Sequence, residues 1–217
     1  MFKFEKYTVE ELKECGKAFV GFLDKNKELL FELPGTAEWT EVVLDWFSAT
    51  ASDANVVDAR PSKYAISDSL LKLRKKKILC PRNTYSEFLV DLCHSDFPSY
   101  SSFAFYSRDY WASALKERRR IRLALESEWG KYSSKPANYA KIMEDATKLA
   151  VVRADCKILV FGTLDQPSHE EVIKDVGLLR KQTGDKSPWL LIDAPKSNWR
   201  EGQIQPSVLV IAGEDEA

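Results

Sequence analysis

The sequence predicts an α/β protein, a mixed β-sheet flanked by helices, with a helical region ahead of it. Three observations predict this class. Apolar residues recur at helical spacing through the first third of the chain. From about residue 84 the pattern changes to short apolar runs of strand length. Beyond residue 120, strands alternate with helix-length amphipathic segments, the mark of layered α/β architecture. Hydrophobic residues make up 44% and charged residues 30% of the 217 positions, enough for one large core and incompatible with chain-wide disorder. The expected division is an N-terminal helical region over 1–80, packed on an α/β core over 81–217.

Each element has a local reason. Thr8 and Glu11 form a capping box that opens a first helix. Leu12, Phe19, Phe22, Leu23, Leu29 and Leu30 carry its apolar stripe to about residue 31, where Leu33-Pro34-Gly35 breaks it. Thr36 caps a second helix with Trp39, Val42, Val43, Trp46 and Phe47 on one face. Residues 50–63 read as a loop, leading to a helix near 66–77 that ends in Arg74-Lys75-Lys76-Lys77. Phe88 to Cys93 is a strand with one acid, Asp91, inside it. Ile121 to Trp129 is a second strand. Ile121, Leu123 and Leu125 lie on one face, with Arg122, Ala124, Glu126 and Glu128 on the other. A loop over 131–136, a helix over 138–154, a strand over 157–161 and a helix over 168–182 follow. Trp189–Ile192 and Val208–Ile211 complete the order, helices and then ββαβαββ.

Several function classes fail on residues. The N-terminus turns charged at once and has no apolar signal core, and no apolar run approaches the ~20 residues of a membrane span, so a cytoplasmic protein without membrane contact is expected. The four cysteines, Cys15, Cys80, Cys93 and Cys156, form no CxxC pair and read as reduced core residues. With His94 and His169 as the only histidines, a multi-histidine zinc site is excluded, and Cys93-His94 beside Cys80 is a weak zinc signal. Gly184-Asp185-Lys186-Ser187 lacks the glycines of a P-loop, and neither GxGxxG nor GxSxG occurs. Carboxylate and lysine chemistry remains.

Glu126-Ser127-Glu128-Trp129 is the most informative tetrad. Residues two apart on a strand share a face, with Cβ atoms roughly 6–7 Å apart. Like charges at the end of a core strand repel and lose hydration, a double cost that Mg²⁺ or Mn²⁺ would relieve. A solvated strand end, with Glu paired to Arg122 or a lysine, is the other reading. Asp91 interrupts an otherwise apolar run, where a lone acid is costly unless paired or bound to metal. The alternative is an Asp capping a turn toward His94. Lys148 lies on the helix after the Glu strand. It either pairs with Glu144 and Asp145 on the helix surface or sets an ammonium beside a bound phosphate.

An acid in an early strand, Glu-x-Glu at the end of a hydrophobic strand, then a helix and the Lys157–Phe161 strand together resemble the PD-(D/E)XK nuclease superfamily, of restriction-endonuclease-like fold. The matching positions are Asp91, Glu126 and Glu128, over roughly residues 85–165. Glu128 stands where the family's usual lysine does, and Lys148 is then a lysine displaced to the neighbouring helix. The resemblance implies a three-layer core and Mg²⁺- or Mn²⁺-dependent hydrolysis of phosphodiesters in nucleic acid, usually DNA. Asp91, Glu126 and Glu128 would hold the metal, and Glu128 with Lys148 would orient the attacking water. Many such enzymes dimerise, but no heptad or interface pattern marks a homodimer here.

Charge distribution fits a polyanion partner. Residues 60–157 hold 20 basic against 11 acidic residues, net +9, while the rest carries −10 and the whole chain −1. Arg74, Lys75, Lys76 and Lys77 form one basic cluster; Lys116, Arg118, Arg119 and Arg120 form another, and both are expected to contact phosphates. The aromatic run from Phe97 to Trp111 packs a core or stacks on bases. A catalytically inactive nucleic-acid-binding member of the same fold, and a protein-interaction or immunity-type protein working through its acidic flanks, remain as alternatives.

Overall fold

The structure, a computed structural model, describes residues 2–51, 55–58, 68–76, 90–96, 120–129, 134–194 and 205–212. Its elements are helices α1 (Val9–Lys25), α2 (Lys27–Phe31) and α3 (Thr36–Ser48), strand β1 (Asn55–Asp58), helix α4 (Asp68–Lys75), strands β2 (Leu92–Ser95) and β3 (Ile121–Glu128), helix α5 (Lys135–Val151), strand β4 (Ala154–Phe161), helix α6 (Gln166–Thr183) and strands β5 (Trp189–Asp193) and β6 (Ser207–Ile211). The six strands form one sheet in sequence order, β1-β2-β3-β4-β5-β6. β1–β2 and β2–β3 are antiparallel, β3–β4 and β4–β5 are parallel, and β6 turns back antiparallel to β5. The protein is thus α/β with a mixed sheet.

Period-two side-chain alternation splits the sheet into two cores. On one face Leu123, Leu125, Ile158, Val160, Leu190 and Ile192 pack against the N-terminal helices through Phe19, Leu23, Trp39, Val43 and Phe47. On the other, Ala124, Leu159, Phe161, Trp189 and Leu191 pack against Ile142, Ala146 and Leu149 of α5 and Val172 and Val176 of α6. Both helices are parallel crossovers, β3–α5–β4 and β4–α6–β5, and both lie on this second face, as two crossovers of one hand along consecutive strands require.

The N-terminal helices cover the sheet's first face. α1 closes on β5 and β6 through Gly16, where a Cβ would sit 2.5 Å from Val208 Cγ1. Three expectations are corrected. The first helix divides at Asn26, whose side-chain amide donates to the Phe22 carbonyl at 2.8 Å. Gly35, not Thr36, is the N-cap of α3. Residues 55–58, inside the expected loop, form β1, so the sheet draws a strand from within 1–80 and the boundary at residue 80 does not separate helices from sheet. Among the described residues, no helix is long and apolar enough to cross a membrane.

His94, on β2, is a structural residue rather than a zinc ligand. It is fully buried; its Nε2–H donates to the Phe47 carbonyl at 3.0 Å, and its Nδ1 accepts from the Tyr7 hydroxyl at 3.1 Å. Both nitrogens are spent on tying the N-terminal segment to the sheet. Cys93 is buried and unbridged, and Cys80 lies outside the described residues. Burial pushes His94 down to about 4. The unfolded chain therefore takes up a proton near pH 6.5 that the folded chain refuses until about pH 4. Stability from this group is complete above pH 6.5 and drains away as pH falls to 4, by up to about 3 kcal/mol. Urea melts across that window should show the loss in wild type and a shallower one in His94→Gln. Parallel curves would exonerate the histidine.

Candidate active site

The predicted residues Asp91, Glu126 and Lys148 come together. β2 and β3 pair antiparallel with Leu92 opposite Leu125, so Asp91, the residue before β2, stands across from Glu126. Asp91 lies in a bend rather than within the strand. Its Oδ2 accepts a hydrogen bond from the Ser127 amide at 3.0 Å. The carboxyls are buried at 4% and 1% exposure, which decides how costly a second charge is.

Helix α5 crosses above this pair and supplies two further groups. Lys148 Nζ sits 2.5 Å from Asp145 Oδ1 and 3.6 Å from Glu126 Oε1. Lys148 thus makes the helix pair with Asp145 and, beyond what the helix spacing shows, also reaches the strand acid Glu126. Glu144 instead pairs with Lys141. Asp145, buried, is a member of the site that sequence reasoning took for a helix-surface partner of Lys148.

The electrostatics follow from burial and like charge. Burial first, then the charges of Asp91 and Asp145, push the Glu126 carboxyl up to about 10; Lys148 offsets only part of this, and a hydrogen bond to Asp91 favours the protonated form further. Asp145 is raised by burial, against the pull of Lys148. Burial pulls Lys148 down, but Asp145, Glu126 and Asp91 outweigh it and hold the ammonium above the ordinary lysine value. Glu126 Oε1 is buried and makes no hydrogen bond. An oxygen in that condition is a ready ligand for a hard cation, and the acid pair beside it supplies the negative charge.

Glu128 lies one step outward on the same face, half-buried, with Phe161 as its neighbour on β4. Among the described residues, no three acid, histidine or cysteine side chains form a set able to hold a metal ion. The expected Asp91, Glu126 and Glu128 triad is therefore replaced by an Asp91–Glu126 pair flanked by Asp145 and Lys148. Two carboxylates remain a sufficient protein share for Mg²⁺, which keeps several waters and takes the rest of its shell from phosphate.

The basic clusters fare differently. Arg74, expected to face a phosphate backbone, turns inward instead. Its guanidinium is only 12% exposed and binds Asp45 at 2.8 Å and Glu41 at 3.3 Å. Lys75 and Lys76 are exposed. Arg120 precedes β3 and pairs with Asp155 at 3.1 Å, so it sits at the opposite end of that strand from Glu126, roughly 20 Å away at ~3.3 Å per residue. It does not flank the acids. Lys77, Lys116, Arg118, Arg119 and the aromatic run from Phe97 to Trp111 lie outside the described residues.

No family model, curated protein or solved structure matches this chain.

Proposed function

We propose that this chain is a metal-dependent nuclease of the PD-(D/E)XK type, hydrolysing phosphodiester bonds in nucleic acid, with DNA the expected substrate. The observation that carries the reading is the buried Asp91–Glu126 pair, whose Glu126 Oε1 makes no hydrogen bond and lies 3.6 Å from the Lys148 ammonium. The element order supports it: an acid before β2, Glu-x-Glu ending an antiparallel β3, then a helix bearing the lysine and a parallel β4.

Asp91 and Glu126 would hold a Mg²⁺ or Mn²⁺ ion. Such an ion supplies a Lewis acid for the phosphate and lowers the pKa of water. The chain's own groups do the rest. Asp145 fixes the Lys148 ammonium, which offsets negative charge as it grows on the phosphate oxygens. Glu128, nearer the mouth, orients the attacking water in line with the leaving oxygen. Burial keeps bulk water from screening these charges.

Supercoiled DNA, single-stranded DNA and RNA, incubated with the protein at low salt in Mg²⁺ or Mn²⁺, test this. Cleavage is expected with metal and none in EDTA. Asp91→Asn should slow it at least about 100-fold, the upper end of what losing an outer partner of a metal ligand costs. A protein that neither cuts nor binds any of the three is not a nuclease. Binding without cleavage would favour the inactive nucleic-acid-binding alternative, in which the lysine-to-glutamate change at Glu128 has cost the activity.

A further inference from the structure

A second polar cluster ends the same sheet face. Asp193, the last residue of β5, is 3% exposed, so each of its oxygens needs a protein partner. Oδ1 accepts from the Thr163 amide at 3.0 Å. Oδ2 accepts from the Thr163 hydroxyl and, at 2.7 Å, from Nδ1–H of His169 in the first turn of α6. Both carboxylate oxygens are engaged, and Oδ2 holds the Nδ1–H of the ring, which orients the imidazole and turns Nε2 away. His169 is partly exposed, and its ring stacks on Phe161 at 6.4 Å and 23°. Nε2 makes no hydrogen bond to the described residues.

Register places this imidazole one strand over from Glu128, the residue proposed to orient the water. Glu128 pairs with Phe161 and Phe161 with Asp193, so the three residues form a row across the C-terminal ends of β3, β4 and β5. At ~4.8 Å per strand, Glu128 and Asp193 are about 10 Å apart, with His169 over the residue between them. Carboxyl ends of parallel strands are also where α/β sheets bind ligands. An Asp that orients a His through Nδ1 leaves Nε2 as a proton carrier.

We propose that His169, held by Asp193 and entering the reaction as the imidazolium with a proton on each ring nitrogen, is the general acid of the hydrolysis, giving its Nε2 proton to the leaving oxygen of a phosphodiester bound over Phe161. This rests on the nuclease reading above. Water attacks phosphorus and its proton passes to solvent. The bond from phosphorus to the leaving oxygen breaks, the electron pair stays on that oxygen, and the proton from Nε2 neutralises it. Neutral His169 then regains a proton from solvent. Proton donation of this kind contributes about 10²–10⁴-fold in rate.

The test compares two substrates that differ in their need for a proton. Single-stranded DNA leaves as an alkoxide and needs one. The p-nitrophenyl diester of thymidine 5′-phosphate leaves as a stable phenolate and does not. His169→Gln keeps an amide donor for Asp193 and should lower DNA cleavage about 10²–10⁴-fold while changing nitrophenyl ester cleavage only a few-fold. Asp91→Asn should lower both. If Asp91→Asn lowers both but His169→Gln lowers both equally, or neither, the nuclease stands and the general acid falls. If wild type cuts neither substrate, both readings fall. Should His169→Gln fail to fold, Asp193→Asn carries the same comparison, since it frees the imidazole without removing it. A measurement without turnover is independent of the metal. In EDTA, adding thymidylyl-thymidine dinucleotide should move the Nε2 resonance of His169 and leave Nδ1 in place, and an unmoved Nε2 overturns the proposal.

Discussion

Glu126→Gln is expected to abolish metal-dependent cleavage and to erase stabilisation by Mg²⁺, yet leave the metal-free protein at least as stable as wild type near pH 8. The reason is the proton that Glu126 keeps when no cation is present. Its unfolded carboxyl ionises near 4.5, whereas the folded one holds on to about 10 because of burial and the charges of Asp91 and Asp145. Folding stability from this group is fully present below pH 4.5 and drains away as pH rises toward 10. Glutamine has the same shape and no such decline. A divalent cation bound there would take the proton's place, so its binding to wild type should release about one proton and tighten as pH rises. Thermal melts with and without Mg²⁺ check the first half. At a concentration 100 times the Kd, wild type should gain about 2.7 kcal/mol and the variant almost nothing. Calorimetry in two buffers of different ionisation heat checks the proton. Equal stabilisation of variant and wild type by Mg²⁺ would remove Glu126 from the cation site.

How much of this was legible depends on how local each cause is. β3, α5 and β4 were readable, because alternation and helical period are written into consecutive residues: Leu123 and Leu125 belong to one core, Ala124 and Glu126 to the opposite face. The Glu126–Lys148 contact was reachable because one crossover joins their elements. Asn55-Val56-Val57-Asp58 was not, since four residues with polar ends become a strand only by pairing with β2. Asp145 was hidden for the opposite reason. Its neighbour Lys148 explained it locally, and only the crossing of α5 over β3 shows that the pair serves Glu126. His169 and Asp193 are 24 residues apart at no diagnostic spacing, and sheet order alone brings them together. Charge was the least legible property. A basic run in sequence says nothing of which end of a strand it occupies, as Arg120 shows, or whether a side chain turns inward, as Arg74 does.

Arg74→Ala is accordingly expected to destabilise the protein by about 3–5 kcal/mol without weakening nucleic-acid binding by the molecules that remain folded. Asp45 on α3 is wholly buried, and Arg74 reaches it from α4 with Nε donating to Oδ2 at 2.8 Å. Removing the guanidinium takes an ion partner from a carboxylate buried between α3 and α4, which is far costlier than losing a surface charge. The size of the loss would measure the cost of a buried charge deprived of Arg74 rather than the worth of the pair, so the double variant Arg74→Met/Asp45→Leu should recover most of it. Lys75 and Lys76 make the contrast. Both are exposed, and replacing either with Ala should leave urea midpoints nearly unchanged. If the basic run does meet a phosphate backbone, each replacement lowers the salt dependence of binding by about one unit of slope. Reduced binding by Arg74→Ala at unchanged stability would return Arg74 to the interface. Reduced stability at unchanged binding assigns it to the α3–α4 core, and leaves the exposed lysines as the residues of that run able to meet a polyanion.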